Sequence, residues 1–280
     1  MIKKTAVSLT FFTAVFIISA CSSPPPSPPA AVNSSNTVNN TPPASATGDV
    51  RFWSTRAEYG SLIFHGVSEI FSRREDSVQA ALEDAARRVA LFKKLEGNHH
   101  SVTRSGGGFF SNTSETNSSL LYDEDYKQYV EFLTFDPEND VREFNNTIFV
   151  RTRYQASLPI PVSSHPTSSF HSASRPDWTN HPPVISGYIV GVGHSGRQSP
   201  ARRTITNSYE SAVFSMIINL FSEIDVRTVQ YRGQGAFDVV NVTEQEIKAH
   251  GVLYNFYILD MWFDSESHAV WTLAIARNQN

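Results

Sequence analysis

Residues 191–196, Gly191-Val192-Gly193-His194-Ser195-Gly196, have the G-x-G-x-x-G spacing that lets a backbone approach a dinucleotide pyrophosphate, and they follow a strand-like run. That chemistry needs a helix to begin at the third glycine, so that its free N–H groups meet the phosphates. Here Pro200, Arg202 and Arg203 intervene. The stretch therefore reads as a glycine-rich strand exit, with no cofactor expected. Gly106-Gly107-Gly108 lacks the Gly-Lys-Ser/Thr ending that sets a lysine on phosphates; the neighbouring Phe109 and Phe110 give that loop an apolar tip, a candidate contact for lipid or a partner. A nucleophile elbow, Gly-x-Ser-x-Gly, is absent, since Gly193-His194-Ser195-Gly196 closes one residue early.

His99 and His100 are adjacent and diverge, with no carboxylate or cysteine near them to complete a metal set, and His165, His171 and His181 fall in a Pro/Ser-rich stretch where loop histidines are solvated. The carboxylates Glu83-Asp84, Asp123-Glu124-Asp125, and Glu244 with Glu246 are expected on helix faces or turns as solvated charge. Arg197, Arg202 and Arg203 form the one basic cluster, a candidate contact for an anionic polymer, a phosphate or a partner. No catalytic residue and no metal site is expected, and the chain reads as a non-enzyme.

The composition narrows the classes further. The chain has 280 residues, 40% hydrophobic, 12% aromatic and 18% charged, which is a folded protein and not a disordered one or a coiled coil. A formal net charge of -4 supplies no positive field for nucleic acid, so no nucleic-acid partner is expected. A single cysteine excludes an internal disulfide framework and multi-cysteine zinc sites.

That cysteine stands at the end of an address. Lys3 and Lys4 precede an apolar run over residues 5–20, too short for a permanent span and suited to a signal peptide. Ile18-Ser19-Ala20-Cys21 resembles the bacterial lipobox, which implies diacylglyceryl attachment to the Cys21 sulfur, cleavage before Cys21 and acylation, by palmitate for example, of the new amino terminus. Cys21 is thus the expected lipidation site, and the membrane is the first expected partner. Ser22 and Ser23 follow where an Asp would resemble an inner-membrane retention signal, which favours the outer membrane of a Gram-negative envelope, periplasm-facing or surface-exposed. Residues 21–50, rich in Pro, Ser, Asn, Thr and Ala, read as an extended tether.

The rest predicts an α+β fold of two tandem related units, residues 51–156 and 184–280, each an antiparallel sheet with one amphipathic helix on one face, joined by a Pro/Ser/His connector over residues 157–183. In the first unit a strand over 61–67 leads to a helix over 77–95 with apolar residues at three- and four-residue spacing: Val78, Ala81, Leu82, Ala85, Val89 and Phe92. A polar loop then precedes strands over 120–122, 129–135 and 147–154. In the second, a strand over 185–193 and a helix over 206–224 precede strands over 228–232, 237–242, 252–263 and 270–277. The helices align at an offset of 127 residues and the final hairpins, without a gap, at 123.

Ala80-Ala81-Leu82-Glu83-Asp84-Ala85-Ala86-Arg87-Arg88-Val89-Ala90, the glycine-closed strands, the closing Thr272-Leu273-Ala274-Ile275-Ala276-Arg277 and the Pro-x-Trp of Arg175-Pro176-Asp177-Trp178 together resemble the Lpp-twenty-like bacterial envelope lipoproteins. The chain departs from that pattern in being doubled and in its second helix. The resemblance implies an envelope location and this fold, with no shared catalytic site. The expected role is that of a non-catalytic structural or adaptor lipoprotein binding an envelope protein or polymer; the alternative is a periplasmic carrier holding a lipid or apolar small molecule between helix and sheet, for which Tyr254, Phe256, Tyr257, Trp262, Phe263 and Trp271 would supply the lining.

Overall fold

A computed structural model describes residues 46–106, 113–159, 168–170, 172–232 and 239–277. Cys21, Phe109, Phe110, Gly107, Gly108, His165 and His171 lie outside the described residues. In chain order the elements are α1 (Ala46–Trp53), β1 (Ser61–Glu69), α2 (Arg74–Lys93), β2 (Leu95–Gly106), β3 (Thr113–Leu121), β4 (Leu133–Thr134), β5 (Val141–Phe144), β6 (Thr147–Gln155), β7 (Ile189–Ser195), α3 (Ala201–Phe221), β8 (Ser222–Arg232), β9 (Val239–Phe263) and β10 (Val270–Arg277). The fold is α+β, with helices against two antiparallel sheets.

Both long helices form where their apolar spacing predicts, but each begins earlier and ends earlier. The polar first turns carry no apolar stripe. Arg73 and Pro200 stand at the two helix starts, and the backbone N–H groups of Phe71 and Gln198 donate to Ser77 Oγ and Thr204 Oγ1, both at 2.8 Å. At their ends Lys94 and Ser222 turn to extended backbone.

Each helix lies on a strand through glycine. A Cβ at Gly66 of β1 would stand 1.8 Å from the carbonyl oxygen of Ala81, and one at Gly193 of β7 would stand 1.9 Å from that of Ser208. Gly191 and Gly193, which the sequence places at the end of a strand, lie inside β7 and are the positions over which α3 passes at backbone contact.

The first sheet has the order β1-β6-β4, with β5 also on β6. The second has the order β3-β2-β9-β10-β7, with β8 also on β9. Strands β2 and β3, from the first half of the chain, thus hydrogen-bond into the sheet of the second half, because β2 pairs with β9 from Leu95↔Leu253 to Gly106↔Val242. The largest core cluster mixes the halves in the same way, joining Leu62, Phe64, Val89 and Phe92 to Tyr257, Leu259, Trp262, Leu273 and Ile275.

Several strand expectations need correction. Residues 96–106 and 113–119 are not loop but lie in the paired strands β2 and β3. Residues 129–135 are mostly a 3-10 turn, Tyr126–Phe132, followed by the two-residue β4, so the final hairpins of the two halves are not equal in length. The three runs over 228–263 are instead two long strands, β8 and β9, the latter of 25 residues.

Candidate functional site

Charged side chains enter the interior at three places. Asp84 on α2 is buried against β1, where its carboxylate accepts from Arg87 Nη2 (2.6 Å), Arg88 Nη2 (2.7 Å) and the Val67 N–H (3.0 Å). Burial opposes its charge, yet the two guanidinium groups and the N–H hold the carboxyl below its ordinary value. Arg88 in turn lies 3.9 Å from the ring centre of Tyr209, whose hydroxyl burial pushes up to about 12. This corrects the expectation that Glu83-Asp84 is simply solvated. The signal was in the spacing, since Asp84 and Arg88 share the stripe of Ala81, Ala85 and Phe92.

His65 of β1 is buried beside this cluster, and burial, reinforced by Arg151 and Arg88, pushes it down to about 4. It is the neutral ring, so Nε2–H donates to the Phe52 carbonyl at 2.6 Å. Arg151 on β6 is also buried, between Glu58 (2.9 Å) and Asp140 (3.7 Å).

Asp260 is the third, in β9. Burial pushes it up to about 6, against the N–H groups of Ser169 (3.0 Å) and Met261 (2.8 Å) and the indole N–H of Trp178 (3.1 Å). Trp178 of the Pro-x-Trp is thus a buried anchor that ties the 175–180 segment to β9. These charges are each held by structural partners; Arg151 also reaches an open cleft of about 310 Å³ with Asp140, Arg142 and Arg153, and Arg88 one of about 260 Å³ with Tyr122 and Glu210. The enclosed space between helix and sheet, lined by Phe64, His65, Arg88, Tyr209, Phe256 and Tyr257, is about 20 Å³, the room of one water.

Open clefts are larger. Arg197 lines one of about 480 Å³ beside the start of α3, with Phe144, Phe170, Ile205, Phe263 and His268. Arg202 and Arg203 sit on the first turn of α3 and are not part of its lining, so the three arginines do not converge. His99 and His100 do diverge: His99 Nδ1 meets Ser118 Oγ and lies on the side of Phe214, whereas His100 Nε2 meets Glu246 Oε1 at 2.8 Å. His181 pairs on the surface with Asp177 at 2.9 Å. Among the described residues no group of three His, Cys, Asp or Glu side chains is placed to hold a metal ion, and no helix is long and apolar enough to cross a membrane.

Sequence reasoning saw only fragments, over 120–122, 228–232 and 237–242, of a four-stranded arm, β3-β2-β9-β8, in which the consecutive strands β2 and β3, and β8 and β9, pair antiparallel. Its base is covered by α3, whose Ile217 and Phe221 sit over the facing glycines Gly97 and Gly251. Beyond Phe221 the sheet continues without a helix.

Its register sorts the residues by charge. One face carries the rows Thr116-Ser101-Ile247-Ile224 and Ser114-Thr103-Gln245-Val226, with no Asp, Glu, Lys or Arg. The other carries Asn117-His100-Lys248-Glu223, Glu115-Val102-Glu246-Asp225 and Thr113-Arg104-Glu244-Arg227.

On the charged face an alternating ladder crosses all four strands. Arg104 bridges Glu115 (3.2 Å) on β3 and Glu244 (2.6 Å) on β9, and Glu244 accepts from Arg227 Nε (2.7 Å) on β8. Glu244 is only 7% exposed within this ladder, in a strand and not on a helix face or turn as the sequence suggests. Hydrogen bonds from the two arginines hold its carboxyl below the ordinary value.

No known protein family, curated protein or solved structure matches the chain.

Proposed function

We propose that the chain is a non-catalytic, lipid-anchored protein of a bacterial envelope, acting as a structural or adaptor component that binds an envelope protein or polymer. The observation that carries this reading is Ile18-Ser19-Ala20-Cys21, the only cysteine of the chain placed where a lipobox would use it, followed by a proline-rich tether. Ser22 and Ser23 favour the outer membrane. The reading includes descent of the two halves from one β-α-β-β-β unit. Its support is that Gly66 over Ala81 and Gly193 over Ser208, Phe71 on Ser77 and Gln198 on Thr204, and Val67 on Asp84 and His194 on Ser211 are all related by the same offset of 127.

Metabolic labelling with an alkyne fatty acid tests the anchor. Label is expected on the wild type in the outer-membrane fraction and lost in Cys21→Ala; label absent from both would overturn the reading. A pull-down from crosslinked envelopes that recovers no protein or wall polymer above a control lipoprotein would sink the adaptor role.

A carrier of lipid or another apolar small molecule is the second reading. What favours it is the cleft of about 480 Å³ walled by Phe144, Phe170, Ile205, Phe263 and Val270. The filled space between helix and sheet weighs against the site expected from the sequence. Native mass spectrometry distinguishes the two, since an adduct of lipid mass favours carriage and a bare mass opposes it.

A further inference from the structure

Among the described residues β3 pairs only with β2 and β8 only with β9, so the arm ends on both sides in a free edge. Such edges are templates for further strand pairing, and proteins usually blunt them with lysine, proline or a bulge. Neither edge carries lysine, proline or a bulge, and the charges they do carry, Glu115 on β3 and Glu223, Asp225 and Arg227 on β8, restrict the registers in which another strand can pair. Thr113–Leu121 contains no lysine and no proline, and Ser222–Arg232 likewise, and both pair with their inner neighbours over nine and eleven residues without a register shift.

The two edges are also suited to each other. Every adjacent pair in the arm is antiparallel, so across three pairings β3 and β8 run in opposite directions. Copies placed side by side and pointing the same way therefore meet β8 to β3 in antiparallel fashion, continuing the sheet. The ladder on the charged face ends the same way. It runs Glu115, Arg104, Glu244, Arg227, negative at one edge and positive at the other, with Glu115 73% and Arg227 61% exposed.

We infer that the partner for this arm is a second copy of the chain, with β8 of one copy pairing to β3 of the next and Arg227 opposite the next copy's Glu115. That register sets Asp225 opposite Asn117 and Glu223 opposite Ser119. A register with Asp225 opposite Glu115 would face two carboxylates, which disfavours it. The contact is head-to-tail, so it repeats: copies build a ring when the rotation closes and an open array when it does not. The inference rests on the sheet alone, independently of the lipid anchor.

The test is an oxidative crosslink in the full chain carrying Asn117→Cys and Asp225→Cys, with Cys21→Ser so that these are its only thiols. Within one copy these positions are separated by three strand spacings, roughly 14 Å, beyond the reach of about 7 Å that a disulfide allows. Mild oxidation is expected to remove the monomer band in favour of a ladder of dimers, trimers and larger species, with neither single variant passing beyond a dimer. Glu115→Gln in the double-cysteine background should weaken the ladder about threefold. The inference is overturned if the double variant stays monomeric while both thiols react with a maleimide, which would show a folded, exposed arm that does not pair. A product that stops at dimers also overturns it, because it reports a two-fold contact in place of a head-to-tail one.

Discussion

The layer of β1 and α2 and the layer of β7 and α3 make the same backbone contacts with different chemistry. Both strands pass under their helix at a glycine, and both helices begin with a buried hydroxyl that accepts the N–H of the residue six before it. The third contact separates them. Val67 N–H meets the buried carboxylate of Asp84, which holds two arginines, whereas His194 N–H meets only the hydroxyl of Ser211 at 3.2 Å. Geometry is therefore set by the small residues under the helix, while charge at the neighbouring position is free to differ.

The two layers should differ most at Asp84. Asp84→Ala leaves Arg88 buried without its partner and should destabilise by about 4 kcal/mol, against about 1 kcal/mol or less for Ser211→Ala. Urea unfolding of the two variants measures the difference, and equal losses would refute the distinction. Gly66→Ala and Gly193→Ala sharpen the likeness instead. Each added methyl meets a helix carbonyl that cannot move alone, so both should lose about 3 kcal/mol, and a benign Gly193→Ala would mean that α3 rides less tightly than α2.

A pH series sets His65 of the first half against Asp260 of the second. His65 is lowered from 6.5 to about 4, so its contribution is present above 6.5 and is lost as pH falls towards 4. Asp260 is raised from 3.8 to about 6, so its contribution is present below 3.8 and is lost as pH rises through 6. The two slopes are opposed and, at about 3 kcal/mol each, nearly cancel between pH 4 and 6.5. His65→Gln should therefore unmask Asp260, giving a protein that is more stable at pH 4.5 than at pH 7, as followed by urea midpoints; an unchanged profile would refute the pairing. The smallest effects are those of the helix starts, where Ser77→Ala and Thr204→Val should each cost about 1 kcal/mol.

The helices were legible because their apolar residues repeat every three or four positions against a single layer. The β2 and β3 half of the arm was not, because both of its faces meet water or other polar groups. Ser101, Thr103, Thr116 and Ser114 on one side and Arg104 and Glu115 on the other leave no alternation of apolar and polar there, whereas Ile224 and Val226 do alternate with Glu223, Asp225 and Arg227 in β8. The pairing of β2 with β9 is set by a partner strand some 150 residues away, which no local pattern encodes. Asp84 was misread for a different reason: an Asp four residues before an Arg is normally an exposed helix pair, and only its place on the alanine stripe distinguishes it. The tyrosine-rich 126–132 segment favours a strand by composition, yet its backbone closes into a 3-10 turn packed on α2, so tertiary contact overrode propensity.

Strand β9 runs unbroken from the arm into the core, roughly 85 Å of extended chain, bending at Asn255 with φ 54 where it leaves β2 and takes up β10. A pull applied to the arm along this direction has no loop to absorb it. The load passes along β9 to its rungs with β10, from Arg277↔Tyr254 to Val270↔Phe263, which a pull along the strand loads in shear. The same strand that extends the sheet away from the body would make the body the mechanical footing of whatever the arm holds.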